Sequence, residues 1–478
     1  MSDKALYENP LISRYASREM AALFSADRKF SVWRRLWVAL AEAEQELGLP
    51  ISDEQISEMK RFVNDINYED AERKEAETRH DVMAHVYAYG LQCPKARPII
   101  HLGATSAYVG DNADIIIMHE ALELLRRKLL ALMSALSRFA LRYKDLPTLG
   151  FTHFQAAQLT TVGKRAALWL QDFYFDYTDI VHRQTLLPLL GVKGATGTQA
   201  SFLALFDGDG EKVKRLEESV AAKIGVRRTV PLSGQTYSRK LDAHIAELLS
   251  GIAQSAHKMT NDIRLLQHLK EVEEPFETNQ IGSSAMAYKR NPMRSERAAS
   301  LSRYVIRMVS AAADTAATQW FERTLDDSAG RRLYIPQGFM GADAILDLCI
   351  NISSALVVHE NVIRNRIMSE LPFIATENIL MEAVKRGGDR QELHERIRVH
   401  SMEAGLAVKD GGLPNDLLRR IAGDEVFRLS EDDMERLLEP SDYVGRAGEQ
   451  TNEFIRDFIC PILDANSEIM PKEVEIRV

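Results

Sequence analysis

A set of very long helical patterns in the middle of the chain constrains the fold most strongly. In two of them, apolar residues recur at steps of three and four, which places them along one face of a helix. The first pattern comprises Ile115, Met118, Leu122, Leu125, Leu129, Leu132, Leu136 and Phe139, and the second comprises Leu241, Ile245, Leu248, Ile252, Ala256, Met259, Ile263 and Leu266. Other patterns run through 156–187, 292–318 and 338–367. A helix of about 30 residues is about 45 Å long. An apolar stripe of this length must pack against other helices along its whole length. We therefore expect an all-α bundle that continues into other copies of the chain.

The breaks between these patterns predict three helical domains. The stretch GATSAYVGDNAD (103–114) precedes the first long pattern, and glycine pairs at 386–390 and 410–414 shorten the later ones. We expect an N-terminal helical domain at 1–105, a central long-helix bundle at 106–358 and a smaller C-terminal helical domain at 359–478. The central bundle should assemble into a multi-subunit helical core.

Charge and composition exclude several classes of partner. The 478 residues carry 60 Lys and Arg against 69 Asp and Glu, a net charge of −9 without a basic domain, which argues against nucleic acid. Three scattered cysteines, Cys93, Cys349 and Cys460, fit a reducing compartment. No apolar run reaches the roughly 18 residues that a membrane helix needs. We therefore expect a cytoplasmic protein without a membrane partner, whose anionic ligands are held by a local cluster of cations.

The stretch GSSAMAYKRNPMRSE (282–296) combines two serines, several cations and a helix start. Pro292 suits a first helical turn and Asn291 suits its cap. Small residues allow a mobile loop, and Lys289 with loop amides would stabilise an alkoxide on a serine. The alternative is a solvated loop that leads into a capped helix.

This stretch resembles the signature loop of the fumarase/aspartase superfamily, and within it the adenylosuccinate lyase family. The resemblance continues through blocks in family order along nearly the whole chain and is greatest to the animal-type branch. The blocks are SRYAS (13–17), TRHDVMAHVYAYG (78–90), HLGATSAYVGDNAD (101–114), GFTHFQAAQLTTVGKR (150–165), GVKGATGTQASF (191–202), SGQTYSRK (233–240), ERTLDDSAGRR (322–332) and DYVGRA (442–447).

The resemblance implies a C–N lyase of purine biosynthesis that releases fumarate by β-elimination. The substrates would be adenylosuccinate, giving AMP, and succinylaminoimidazole-carboxamide ribotide, giving its carboxamide. Ser283 would be the base, His153 the general acid, and Lys289 with Asn291 would stabilise the aci-carboxylate. From the residues alone, a histidine between Phe151 and Phe154 is more typical of a core histidine.

The same resemblance assigns the remaining site residues. His80 would support the acid. The residues implied to bind substrate are Arg14, Tyr15, Arg79, His80, Asp81, Thr105, Ser106, Gln235, Lys289, Asn291, Arg297, Arg323, Ser328 and Arg332, with Arg14, Tyr15, Arg323, Ser328 and Arg332 on the phosphate side. The local alternative for Arg79-His80-Asp81 is a helix-capping salt bridge. A metal site at His80 and His85 is disfavoured, because a spacing of five does not stack on one helical face.

Two alternatives to this family remain at this point. One is another lyase of the superfamily, such as argininosuccinate lyase or fumarase, whose substrates carry no phosphate for Arg14, Arg323 and Arg332. The other is a non-catalytic scaffold, against which the intact set of implied catalytic residues argues. The resemblance further implies a homotetramer with active sites shared between subunits, no cofactor and no metal. One departure is Ala287, where the family usually has proline, so we expect a looser loop by about 0.4–1 kcal/mol.

Overall fold

The computed structural model describes residues 5–226, 228–277 and 279–470 and shows a helical protein. The N-terminal helices are α1 (Arg18–Leu23), α2 (Ala26–Glu46), α3 (Asp53–Arg61), α4 (Tyr68–Thr78) and α5 (Asp81–Gln92). The central elements are α6 (Ser106–Arg142), β1 (Pro147–Thr152), β2 (Gln155–Thr161), α7 (Val162–Leu186), α8 (Ala200–Leu205), α9 (Gly210–Ile224), α10 (Lys240–His268), β3 (Val272–Glu273), α11 (Met293–Ala317), α12 (Asp327–Ser354) and β4 (Val357–Val358). The C-terminal helices are α13 (Glu360–Ile374), α14 (Thr376–Lys385), α15 (Arg390–Lys409), α16 (Leu417–Ala422), α17 (Glu431–Arg436), α18 (Ala447–Phe454) and α19 (Cys460–Ala465). Single π-helical turns lie at Leu11–Tyr15 and Ile455–Ile459, and 3₁₀ turns at Glu425–Phe427 and Pro440–Tyr443.

The five longest central helices form the bundle that the periodicity predicts. Helix α6 packs on α7 and α12, and α10 packs on α7, α11 and α12. Every residue of the first predicted stripe is buried in α6. In the second stripe, all but the half-buried Leu241 are buried in α10. The all-α prediction is confirmed, with two small antiparallel sheets, β1–β2 and β3–β4, added to it.

Three predicted boundaries of long elements are wrong. Residues 155–161 form β2, which pairs with β1, and α7 begins only at Val162 with the Thr161 hydroxyl as its cap, accepting from the Lys164 amide at 3.0 Å. The pattern at 338–367 is two helices, because 357–358 leave the helix to pair with 272–273. The stretch 103–114 does not precede α6 but mostly belongs to it. Its polar residues lie inside the fold because distant partners satisfy them: the Asn112 amide donates to Gly191 O at 3.0 Å.

Two hydrophobic clusters make up the core. The larger one joins the N-terminal helices to the bundle, and the smaller one lies within 375–434 and is built around Ile379, Leu393 and Phe427. Farther along the chain, Ile455 and Ile459 return to the larger cluster. The division at 105 and 358 remains a prediction, and its outer ends, 1–4 and 471–478, lie outside the described residues. The bundle provides the rigid frame on which the loops described next are mounted.

Candidate active site

A cleft of about 680 Å³ opens where the N-terminal helices meet the first turns of α6 and α12. It collects eight of the residues singled out from the sequence. They are Arg79, His80, Asp81, Ser106, Gln235, Arg323, Ser328 and Arg332. These residues come from four separate stretches of the chain, so the fold brings them to one cavity.

The turn between α4 and α5 carries one wall of this cleft. Arg79 ends α4 in the left-handed region, with φ of 55°. His80 is the N-cap of α5, and its Nδ1 accepts from the Met83 amide at 3.3 Å. A ring nitrogen that accepts an N–H bond carries no proton, so the neutral ring is protonated at Nε2. That Nε2 lies 3.3 Å from the Ser106 hydroxyl. The cap therefore holds the imidazole in one tautomer, with its N–H directed at Ser106.

Asp81 joins this wall to the opposite one. Its carboxylate forms an ion pair with Arg332 at 3.0 Å. The helix cap and the salt bridge that were the alternative explanation for Arg79-His80-Asp81 are therefore both present. They involve the same residues that line the cleft. The second histidine of this segment, His85, is a core residue: it is 4% exposed and its ring stacks on Phe30 at 3.7 Å. Burial lowers the pKa of His85 to about 4.

The opposite wall is built from the start of α12 and the loop before α10. Ser328 and Arg332 are four residues apart in α12 and so share one helix face. The Arg323 guanidinium donates to Asp327 at 3.2 Å. The backbone N–H of Gln235 donates to Glu322 O at 3.0 Å, which holds the loop before α10 beside the loop before α12. Gly234 permits this approach, since a Cβ there would lie 2.5 Å from the same carbonyl oxygen.

A buried ionic network forms the floor of the cleft. The Arg239 side chain is 1% exposed and bridges Asp111, at 3.0 Å, and Asp327, at 2.6 Å. Next to it, Arg331 pairs with Asp242 at 2.6 Å and with Asp114 at 2.9 Å. Removing one partner of such a network leaves an uncompensated buried charge, at a cost of about 3–5 kcal/mol. The network therefore fixes the start of α12 to α6 and α10.

The signature loop folds on itself outside the lining of this cleft. The Ser283 hydroxyl oxygen accepts from the Ala285 amide at 3.3 Å and the Met286 amide at 3.1 Å. Two N–H donors aimed at one oxygen favour negative charge on it. The Asn291 amide donates to Gly282 O at 2.6 Å and closes the loop at its base.

The prediction that Asn291 caps the following helix is wrong. Helix α11 begins at Met293, and Pro292 occupies the N-cap position without a capping side chain. The buried carboxylate of Glu274 takes this role and accepts from the Arg294 amide at 2.9 Å and the Ser295 amide at 2.8 Å. A carboxylate at a helix N-terminus satisfies the free amides and the helix dipole together.

His153 lies at the tip of the β1–β2 hairpin. Thr152 pairs with Gln155, so the loop has two residues, His153 and Phe154, with φ of 52° and 57°. Two left-handed residues in such a loop are the geometry of a type I′ turn, which glycine and asparagine usually supply. The imidazole is exposed at this tip and does not line the cleft of a single chain.

Arg14, Tyr15 and Arg297 form a fourth group at the π-helical turn Leu11–Tyr15. The Arg297 guanidinium lies over the Tyr15 ring at 5.9 Å, next to Arg14. Thr105 is the N-cap of α6 without a capping side-chain bond, directly before Ser106. Within one chain the predicted site residues are therefore divided among the cleft, the signature loop, the hairpin tip and this turn.

Comparisons with known proteins identify the family. A family model described as "Lyase" matches residues 19–306, and one described as "Adenylosuccinate lyase C-terminus" matches residues 372–454. The chain is 52% identical to adenylosuccinate lyase of Saccharomyces cerevisiae over 474 residues, which cover 98% of this chain and 97% of that protein. The corresponding figures for the protein of that name from Schistosoma mansoni are 46% identity, 99% and 99%. The chain belongs to the adenylosuccinate lyase family. It is an enzyme, a lyase that releases fumarate.

Solved structures show how widely the fold of this family occurs. A fumarate lyase from Mesorhizobium sp. BNC1 superposes with a TM-score of 0.80 at 23% identity, covering 95% of this chain and all of that one. A 3-carboxy-cis,cis-muconate lactonizing enzyme from Pseudomonas putida superposes with a TM-score of 0.81 at 21% identity, covering 96% and 100%. At these identities the likeness concerns the fold alone. The likeness extends over nearly the whole chain.

Sequence reasoning missed several residues that line the cleft of this adenylosuccinate lyase family member. The clearest are Lys29, Arg239 and Arg331. The pair Arg331-Arg332 was visible in the sequence, but the spacing does not tell which arginine faces inward. Lys29 lies in α2 without a motif around it. Among the described residues, no group of three or more His, Cys, Asp or Glu is placed to hold a metal ion, and none of the described helices has the length and apolar character needed to cross a bilayer.

Proposed function

We propose that this chain cleaves adenylosuccinate to AMP and fumarate, and succinylaminoimidazole-carboxamide ribotide to its carboxamide and fumarate. The observation that carries the proposal is the cleft, in which Arg323, Ser328 and Arg332 of one wall face Arg79-His80-Asp81 of the other. Both substrates carry a ribose phosphate and a succinylamino group, so one cleft with an arginine-rich wall serves both. Arginine matches phosphate oxygens in a bidentate way that favours a phosphorylated substrate. Argininosuccinate and malate offer no such group.

The reaction divides between a base and an acid on opposite sides of the succinyl group. Ser283, as alkoxide, takes the proton from the carbon next to a carboxylate, and Lys289 with Asn291 stabilises the resulting aci-carboxylate. The C–N bond then breaks, and His153 protonates the leaving nitrogen. The two amides on the Ser283 oxygen, at 3.1 and 3.3 Å, support the assignment of the base. Each of the two proton transfers contributes roughly 10²–10⁴ in rate.

The site is proposed to be completed between subunits of a homotetramer. His153 at the hairpin tip and Ser283 in the signature loop are exposed or half-buried and lie outside the cleft lining of one chain. Large apolar side chains also remain exposed in the segments that precede Gln235 and Arg323, namely Leu232, Trp320 and Phe321 at 88%, 71% and 99%. Such groups are expected where other subunits pack. The unpaired cysteines fit the reducing cytoplasm as the place of assembly.

A metal-free absorbance assay tests the activity. The purified protein should convert each succinylated nucleotide to fumarate and its product in the presence of a chelator. Turnover of argininosuccinate or malate but of neither nucleotide would favour another superfamily lyase, and no turnover of any of them would favour a scaffold.

Matched variants test the two assignments. Ser283→Ala and His153→Ala should each lower kcat by at least about 10², while Ser284→Ala and His182→Ala should stay near wild type. Far-ultraviolet circular dichroism should be unchanged in all four. If Ser283→Ala or His153→Ala retained most of the wild-type activity, the proposed role of the replaced residue would be contradicted.

Mixing the two inactive variants tests the shared site. When subunits combine at random and each site takes His153 and Ser283 from different chains, about a quarter of the sites are intact. Activity near that fraction is expected after subunit exchange. An absence of rescue in tetramers shown by mass spectrometry to be mixed would count against shared sites.

A further inference from the structure

One cation of the cleft has no place in the roles described so far. Lys29, in α2, lines the cleft beside Phe24 and Trp33. Its ammonium lies over the rings of Trp33 and Phe30, 4.8 and 5.2 Å from their centroids. Contacts of this kind hold a lysine in place without neutralising its charge.

Most other cations of the cleft are already committed to carboxylates. Arg239 pairs with Asp111 and Asp327, and Arg331 pairs with Asp114 and Asp242. Arg323 and Arg332 pair with Asp327 and Asp81. In the described part of the chain, Lys29 and Arg79 are the cleft cations that form no ion pair with an acidic side chain. Their charge is available to an anionic ligand.

Lys29 and Arg332 line the same cleft, and the charge of Arg332 acts on Lys29. Burial lowers the pKa of the Lys29 ammonium, and the nearby Arg332 cation lowers it further, against the opposing effect of Asp114, Asp81 and Glu75. Asp81 already pairs with Arg332, and a further anion that contacts Lys29 and Arg332 would reduce the remaining repulsion between the two cations. Arg332 is also four residues from Ser328 near the N-terminal end of α12, where the helix dipole favours negative charge. A dianion bound in this part of the cleft would be attracted by both cations.

We propose that Lys29 is a substrate-binding residue that, together with Arg332, holds the 5′-phosphate of the nucleotide. This inference rests on the proposed function and adds a ligand from the N-terminal α2 helix to it. A lysine ammonium has three donors and no fixed plane, so it complements the planar fork of Arg332 on one phosphate group. Because phosphate is distant from the reacting carbon, Lys29 should contribute uniform binding, which acts on KM more than on kcat.

The test compares Lys29→Met on substrates with and without phosphate. On adenylosuccinate, kcat/KM should fall about 10–100-fold, mainly through KM, as expected for loss of a charge-assisted hydrogen bond. On the succinylated nucleoside that lacks phosphate, the change should be below about 3-fold. Equal losses on both substrates, or none on either, would overturn the assignment.

Two further variants separate charge from packing. Lys29→Arg retains the charge and should recover most of the loss, whereas a loss as large as that of Lys29→Met would contradict a role for the charge. Lys74→Met is the matched control, because Lys74 also lies over a ring, that of Tyr87 at 5.1 Å, but outside the cleft lining. It should match wild type on both substrates.

Inhibition by AMP gives a readout that does not depend on cleavage of the phosphate-free compound. The inhibition constant for AMP should rise about 10–100-fold in Lys29→Met, and an unchanged constant would overturn the inference. If wild-type protein fails to cleave adenylosuccinate at all, the proposed function fails. If wild type cleaves it and Lys29→Met behaves the same, only the role of Lys29 fails.

Discussion

The free energy of unfolding should fall as the pH rises from 5 to 8, and replacing Glu44 by glutamine should remove a large part of this fall. Glu44 lies in α2, is 0% exposed, and neither of its carboxylate oxygens has a hydrogen-bond partner among the described residues. Burial without a compensating partner raises its pKa to about 9. The folded state therefore keeps this proton through neutral pH, whereas the unfolded chain releases it near its usual pKa of about 4.3.

The sign and size follow from proton linkage. Between those two pKa values the folded state binds one more proton than the unfolded state, so stability falls as pH rises. The slope is about 1.36 kcal/mol per pH unit, which amounts to about 4 kcal/mol per subunit from pH 5 to pH 8. Glutamine has the same shape and no proton to lose. The difference in unfolding free energy between Glu44→Gln and wild type should therefore rise by about this amount from pH 5 to pH 8, whatever the difference is at pH 5.

Urea unfolding at pH 5, 6, 7 and 8 and one fixed protein concentration measures this difference, since the stability of an oligomer depends on concentration. Glu46→Gln is the control, because Glu46 is on the same helix but is exposed and pairs with Lys223 at 2.6 Å. That bond lowers the pKa of Glu46, so its stabilisation is lost only as pH falls below the usual range of a glutamate. Wild-type and Glu44→Gln curves that stay parallel from pH 5 to 8 would refute the reasoning.

Three further variants test other parts of the structure. Arg239→Met leaves Asp111 buried without its cation and Asp327 with Arg323 alone, so urea unfolding should show a loss of about 3–5 kcal/mol. A loss below about 1 kcal/mol would mean that the network does not stabilise the fold. Gly282→Ala places a Cβ 2.1 Å from Lys289 O, so the signature loop cannot keep its fold and kcat should fall at least about 10²-fold in the fumarate assay. Wild-type kcat in that variant would contradict this, and Gly405→Ala, whose Cβ meets nothing within 4 Å, should be silent. Ala287→Pro should slow protease cleavage of the loop, because Ala287 follows Met286 in a turn closed by the Lys289 amide, and the second position of such a turn favours proline; faster cleavage would show that proline does not fit there.

Regular periodicity made the bundle predictable. The stripe from Ile115 to Phe139 follows from the 3.6-residue repeat alone, because each step depends only on neighbours along the chain. The start of α6 was misjudged because Asp111 is a poor residue for a helix interior until Arg239, 128 residues later, pairs with it. Tertiary partners of this kind leave no local pattern.

In the candidate site, too, local sequence patterns failed where the structure depends on residues distant in sequence. Local rules assigned the cap of α11 to Asn291, yet Glu274, 20 residues before Arg294, provides it. The family resemblance supplied residues that the structure then brought into one cleft, such as His80 and Ser106, 26 residues apart. Lys29 carries no signal in its neighbours, and its place in the cleft follows from how α2 packs.

At the two-residue tip of the β1–β2 hairpin, the residues that would be most stable differ from the residue that the proposed reaction needs. His153 and Phe154 occupy backbone conformations that cost non-glycine residues roughly 1–3 kcal/mol each. Asn-Gly at these two positions would fit the turn without this strain and would make the hairpin more stable. On the proposed mechanism, the same exchange would discard the proton donor. This short turn is thus a place where a more robust protein and a working enzyme demand different residues.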